Sequence, residues 1–337
     1  MEQMKAWITG ESPGSISLGT KPKPMPDADE VVVQVIVCGL CRTDLHVVDQ
    51  ELETHTPHVT PGHQVVGTVV ALGDQVKQLS IGDTVGVAWL RRTCGVCEWC
   101  RSGRENLCPN SEYTGWDADG GFAEYATVPE AFAYLLPADV NAVEVAPLLC
   151  AGIIGYRALS RAALPDGGKL GIYGYGSSGH ITAQIAQAAG ATIYAMTRGG
   201  ANQDLARSIG SAFVGDETEE PPEKLDAAIV FAPVGEFVPV ALAATKRGGT
   251  VVLAGIHMTD IPAMNYQADL FNERDLRTVT ANTRADGATF LTLAHNLAIR
   301  PTVTTYPFDE VDVAISDLRS GNASGSIVIT MPNPSSD

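Results

Sequence analysis

The chain is short of positive charge: 22 Lys and Arg stand against 39 Asp and Glu, a formal charge of -17. Phosphate backbones and anionic lipid surfaces are held by clustered cations, so this balance argues against nucleic acid or a membrane surface as the main partner. Long apolar runs are missing too, and none approaches the ~20 residues a membrane-spanning helix requires. The opening "MEQMKAWITGESPGS" has no basic stretch leading into an apolar one, so no secretory signal is visible and a cytoplasmic location is expected. Tandem repeats and low-complexity tracts are lacking apart from the tail "MPNPSSD". Cysteine is not scarce. There are seven, and in a reducing compartment they are expected as thiols or metal ligands rather than disulfides.

What is present is an ordinary globular composition, 45% hydrophobic and 18% charged, over 337 residues, a length that suggests about two domains. The first half reads as strands, "EVVVQVIV" (30–37), "VVGTVVAL" (65–72) and "DTVGVAWL" (83–90), separated by turn clusters. From about residue 168 the texture becomes alternating strand and helix. "KLGIYGYG" reads as a strand, "HITAQIAQAAG" as a helix and "ATIYAM" as a strand. The helix "QDLARSIG" and the strands "AFVG" and "DAAIVFA" follow, then a helix "VPVALAATKRGG" (238–249), the strand "TVVLAGI" and finally "DLRTVTAN". Strands alternating with helices predict an α/β domain with a parallel sheet covered on both faces. The last stretch, "TYPFDEVDVAISDLRSGNASGSIVITM", reads as strand, helix, turn and strand. Periodicity leaves open whether it extends the second domain or returns to the first.

"CGVCEWCRSGRENLC" places Cys94, Cys97, Cys100 and Cys108 within fifteen residues. Four thiolates so spaced can close around a tetrahedral ion with no open position, which is how structural zinc is held. An iron–sulfur cluster also takes four thiolates, though the known short spacings differ from this one. Cys38, Cys41 and Cys150 remain, with seven histidines, of which His63 stands in a turn just before a strand. A catalytic zinc draws its three protein ligands from distant segments. Each of these residues alone, however, has a plainer reading, since a buried Cys is usually a small hydrophobe and a lone His more often structural.

"GYGSSG" sets Gly174, Gly176 and Gly179 between a strand and a helix, where a dinucleotide pyrophosphate can sit on the helix N-terminus. About 20 residues on, a carboxylate usually meets the ribose 2'-hydroxyl of NAD. Thr197 and Arg198 stand there instead, and a hydroxyl and a guanidinium suit the 2'-phosphate of NADP. NADP(H) is therefore expected over NAD(H), the alternative being that Arg198 points to solvent.

"GLCRTDLH", "PGHQVVG", the four-cysteine lobe, "GGFAEYATVP" and "LLCAGIIGYRAL", together with their arrangement over the whole chain, closely resemble the zinc-dependent alcohol dehydrogenases of the medium-chain dehydrogenase/reductase superfamily. "IHMTDIP" resembles a bacterial subgroup. The resemblance implies a GroES-like β-rich catalytic domain from residues 1–150 and 284–337, with a structural-zinc lobe at 91–110. It implies a doubly wound Rossmann domain over 151–283. It implies two zinc ions per chain, the catalytic one held by Cys41, His63 and Cys150. Thr43 matches the hydroxyl that receives the alcohol proton, and His46 the outer end of the relay, which runs to solvent through the nicotinamide ribose. Asp44 matches a carboxylate that orients the histidine ligand, and Arg42 a group facing the cofactor pyrophosphate. Trp89 and Trp116 are expected as pocket walls or plain core.

The implied activity is reversible hydride transfer between a primary or secondary alcohol and NAD(P)+, in a homodimer or homotetramer. A zinc polyol dehydrogenase or aldehyde-biased reductase is the alternative within enzymes, and a catalytically silent zinc and nucleotide binder the alternative outside them. Two departures stand out. The family's Glu after the histidine ligand is Gln64 here, and "SGSIV" near residue 326 lacks the Gly-Arg that relatives often carry.

Overall fold

A computed structural model describes residues 2–332; the end of the tail, from Asn333, lies outside the described residues. The chain divides into two compact units. The first takes the described residues within Met1–Cys150, Thr283–Ala288 and Thr302–Asp337, and the second takes Ala151–Asn282 and Thr289–Pro301.

The first unit is built on the strand Glu30–Leu40, which pairs antiparallel with Gln64–Leu72, Tyr125–Pro129 and Ser326–Thr330. Val31, Val33 and Val35 face the core by the two-residue period of a strand, and then a register shift between Val35 and Val37 moves the core side onto Cys38 and Leu40. Ile36, at the shift, is left exposed. The last stretch closes on the strand Ser326–Thr330. It runs parallel to Val303–Pro307 and antiparallel to the central strand, so this segment returns to the first unit.

The strand expected at 83–90 is interrupted. Thr84–Val87 pairs with Gln64–Leu72, whereas Leu90–Arg92 pairs with Glu112–Tyr113. One apolar run thus serves two sheets, and Ala88 and Trp89 lie at the change of partner.

The second unit carries six parallel strands, Lys169–Tyr173, Thr192–Met196, Phe213–Gly215, Leu225–Val230, Thr245–Leu253 and Asp275–Thr278. Numbered in that order they lie 3-2-1-4-5-6, the doubly wound arrangement. The order reverses beside the first strand, and there the ends of neighbouring strands open a crevice for ligands. The helix Ser177–Ala188 buries Ile181, Ala183, Ile185 and Ala186. The helix expected over 238–249 stops at Ala244, where the Thr245 hydroxyl donates to the Leu242 carbonyl and the chain enters a strand. Among the described residues no single helix is long and apolar enough to cross a membrane.

Candidate metal centres and nucleotide site

Cys41 ends the central strand's excursion and sits at the N-cap of the short helix Arg42–Val48. Asp44, in the first turn of that helix, accepts the Cys41 backbone N–H at 2.8 Å and the Gly62 N–H at 3.0 Å. Its Oδ1 lies 3.1 Å from His63 Nδ1, and both side chains are about 98% removed from solvent. The proton of His63 is thereby fixed on Nδ1. Nε2 then faces two sulfurs, Cys41 Sγ at 3.5 Å and Cys150 Sγ at 3.2 Å. One nitrogen and two sulfurs from three distant segments converge within 4.8 Å of one another. Around a tetrahedral zinc, N–Zn and S–Zn bonds of ~2.0 and ~2.3 Å separate neighbouring N and S atoms by roughly 3.5 Å. The donor set and its spacing fit that ion.

The electrostatics agree with the donor set. A hydrogen bond from Cys150 holds the Cys41 thiol well below its ordinary range, and the same contact with burial pushes Cys150 up. Burial would lower His63, but the Asp44 carboxylate and the Cys41 sulfur outweigh it and push His63 up to about 10. Without an ion the cluster therefore retains protons that a metal displaces.

Cys38 takes no part. It is fully buried in the core, and burial raises its thiol well above the usual range. A Cβ on Gly62 or Gly121 would come within 2.8 and 2.9 Å of its sulfur, so both loops pack directly against it.

The second cluster is the lobe. Cys94, Cys97, Cys100 and Cys108 bring their sulfurs within 4.8 Å of one another. Cys97 Sγ lies 3.5 Å and Cys94 Sγ 4.0 Å from Cys100 Sγ, against roughly 3.8 Å between thiolates on a tetrahedral zinc. Backbone N–H groups of Cys97, Cys100 and Cys94 donate to the sulfurs of Cys94, Cys97 and Cys108. Such donors stabilise thiolates; the backbone N–H groups of Val96 and Cys97 draw Cys94 down to about 6. This set also fits zinc.

Thr43 and His46 are three apart on the helix Arg42–Val48, hence on one face, and both are nearly buried. His46 Nδ1 pairs with Glu51, a partner the sequence reading did not supply. Arg42 is exposed at the head of the helix. Gln64 is buried beside Gly39, and its Nε2 has no hydrogen-bond partner among the described residues.

Trp89 meets the His63 ring edge-on at 4.9 Å and stacks on Tyr113 at 5.0 Å and Trp116 at 5.9 Å. His55 stacks on Trp116 at 4.1 Å, with Nδ1 2.6 Å from Asp117. Trp89 and Trp116 thus belong to one half-buried aromatic wall against a metal ligand. Tyr113 and His55 are members of it that no sequence pattern flagged.

In the second unit Gly174 has φ of +91°, and a Cβ there would lie 2.8 Å from the Ala232 nitrogen. A Cβ on Gly179 would lie 2.6 Å from the Gly174 carbonyl oxygen, so only glycine permits this turn to close on its helix. Nothing stands within 4 Å of a Cβ position on Gly176, an open place where a ligand backbone can approach. Thr197 is buried and its hydroxyl accepts the Tyr175 N–H at 3.2 Å, so it braces the turn. Arg198 is 78% exposed, with Nε 3.4 Å from Glu217.

Residues 27–138 match the family model described as alcohol dehydrogenase GroES-like domain, and residues 179–296 that of zinc-binding dehydrogenase. The chain is 52% identical over 336 residues to a probable alcohol dehydrogenase AdhA of Mycobacterium tuberculosis, covering 97% of each. It is 33% identical to an alcohol dehydrogenase of Geobacillus stearothermophilus, covering 97% of this chain and 99% of the other. Its fold is similar to that of a cinnamyl alcohol dehydrogenase from Sorghum bicolor, with a TM-score of 0.90, 27% identity and 98% of each chain covered.

Proposed function

The chain belongs to the zinc-binding alcohol dehydrogenases of the medium-chain superfamily, and from that premise we propose how its residues divide the work and which cofactor it prefers. The enzyme carries two zinc sites, uses a nicotinamide dinucleotide, and interconverts alcohols with aldehydes or ketones. The observation that carries the assignment of residues is the convergence of Cys41, His63 and Cys150 with His63 anchored on Asp44.

Cys41, His63 and Cys150 hold the catalytic ion, and Cys94, Cys97, Cys100 and Cys108 hold the structural one. When bound, zinc supplies Lewis-acid polarisation at the substrate oxygen and the nicotinamide supplies or accepts the hydride. Asp44 keeps the His63 proton on Nδ1, so with the ion bound Nε2 is the lone-pair donor. Thr43 Oγ1 accepts the proton of the substrate hydroxyl as it gives up its own toward His46, which pairs with Glu51 and hands a proton on to solvent. In the reverse direction the same two groups return a proton to the carbonyl oxygen. The half-buried wall of Trp89 and Trp116 shields that reaction from water.

The first unit is thus the catalytic domain and the second the cofactor domain. Gly174, Gly176 and Gly179 admit the pyrophosphate to the N-terminus of Ser177–Ala188, and Arg42 offers a guanidinium to a phosphate. NADP(H) is preferred over NAD(H), because no acid ends the strand Thr192–Met196 and Arg198 stands exposed just beyond it. The Thr197 hydroxyl, engaged with the Tyr175 N–H, leaves the recognition of a 2'-phosphate to Arg198. The working form is a homodimer or homotetramer. A panel of alcohols and carbonyls run with both cofactors tests this reading: turnover with the higher kcat/KM for NADPH is expected, and a strong NADH preference would sink the cofactor assignment.

A further inference from the structure

We propose that Glu217 sets the cofactor selectivity of this enzyme by competing with the 2'-phosphate of NADP(H) for Arg198. The proposal rests on the reading that Arg198 faces the adenosine ribose. The strands Thr192–Met196 and Phe213–Gly215 run parallel with Met196 opposite Gly215, so the residues that follow each strand emerge side by side at the same end of the sheet. Thr197 and Arg198 follow the first. The acidic run Asp216, Glu217, Thr218, Glu219, Glu220 follows the second.

The acids of that run are held in different ways. Asp216 accepts from Gln203 Nε2 at 2.9 Å, Glu219 accepts the Asp216 backbone N–H at 3.0 Å, and Glu220 pairs with Lys224 at 2.9 Å. Glu217 reaches across to the neighbouring strand end, its Oε1 3.4 Å from Arg198 Nε. Glu217 is 31% exposed and Arg198 78% exposed, so a ligand arriving at the guanidinium meets the carboxylate as well.

The acid that the second strand lacks is therefore supplied from the third. A carboxylate in this place acts on the two cofactors in opposite senses. Toward a 2'-phosphate it neutralises the guanidinium and adds like-charge repulsion. Toward a 2'-hydroxyl it is an acceptor and no obstacle. Arg198 alone would favour NADP(H) strongly, and Glu217 reduces that advantage. The coupling of an exposed ion pair corresponds to a change of up to about fivefold in a ratio of rate constants.

The test is kcat/KM for NADPH and NADH with one carbonyl substrate, in the zinc-loaded enzyme and in Glu217→Gln, Arg198→Ala, the double variant and Glu220→Gln. Glu220→Gln removes the same charge from a residue whose partner is Lys224. Glu217→Gln is expected to raise the NADPH to NADH ratio by up to about fivefold, mainly through the KM for NADPH. Most of that gain should vanish in the Arg198→Ala background, and Glu220→Gln should leave the ratio alone. If Arg198→Ala lowers the ratio but Glu217→Gln does no more than Glu220→Gln, the role of Glu217 is overturned and the cofactor reading stands. If Arg198→Ala leaves the ratio unchanged, both fall.

Discussion

His63 Nδ1 lies 3.1 Å from Asp44 Oδ1, and this one contact decides which atom of the imidazole faces the sulfurs of Cys41 and Cys150. Removing it frees the ring to rotate and to exchange tautomers. Asp44→Ala is expected to weaken binding at this site by roughly 10- to 100-fold, leaving the lobe loaded. Chelator competition on the purified protein would show one readily stripped zinc per chain where the parent has none. Equal retention of both ions would show that Asp44 does not govern the histidine.

The same contact makes loading pH-dependent. The neighbouring Asp44 and Cys41 charges hold His63 up at about 10 against burial, so the metal-free site is protonated at neutral pH. A ligand nitrogen must be deprotonated, so metal entry releases a proton and affinity rises as pH rises toward that value. Re-loading apo-protein with zinc in buffers of different ionisation enthalpy measures the protons released. Affinity that is flat from mildly acidic to mildly alkaline pH would contradict the assignment.

Cys38 and Cys41 form a CxxC pair in the sequence and separate in space. Cys38 packs in the core while Cys41 turns toward His63. Cys38→Ala should keep two zinc per chain and most activity, with a stability loss of about 1 kcal/mol for the lost packing. Cys41→Ala should keep one zinc and lose turnover. Metal analysis of both variants separates the cases, and equal zinc loss from the two would show that Cys38 serves the metal as well.

The central strand shows why part of this was legible in advance. Apolar alternation announces a strand at 30–37 but not the shift at Ile36 that carries Cys38 into the core and brings Cys41 to a helix cap. The lobe was readable because its four ligands are neighbours in sequence. Trp89 and Trp116 were expected as pocket walls or core, but their stacking with Tyr113 and His55 was not, because residues 55, 89 and 113–116 come from three segments whose approach depends on strand pairing. Ala88 and Trp89 lie where one apolar run changes partner, which propensity cannot register. The acid of Glu217 was hidden for a similar reason. The usual carboxylate would end the second strand, whereas parallel pairing places Glu217 beside that strand end from the third.

Glu105, beside the last lobe cysteine, accepts from Arg284 through Nη2 at 2.6 Å, Nε at 3.0 Å and the backbone N–H at 2.8 Å. These hydrogen bonds hold its carboxyl below the ordinary range. A depressed carboxylate stabilises the fold above its unfolded pKa, and that contribution is lost as pH falls through the folded value. Glu105→Gln is expected to lower stability at neutral pH by about 1–3 kcal/mol and to flatten the acid limb of the stability curve. Urea titrations at neutral and acidic pH check both, and an unchanged acid limb would show the pair to be inert.

The central claim is that the two clusters are the zinc sites of a working alcohol dehydrogenase. Zinc content and alcohol-dependent formation of reduced nicotinamide, measured on the same preparation, test it most directly. The account predicts two zinc per chain and turnover that disappears in His63→Ala while the lobe's ion remains. Two bound zinc with no turnover on any alcohol, with either NAD+ or NADP+, would contradict it and leave a silent zinc and nucleotide binder.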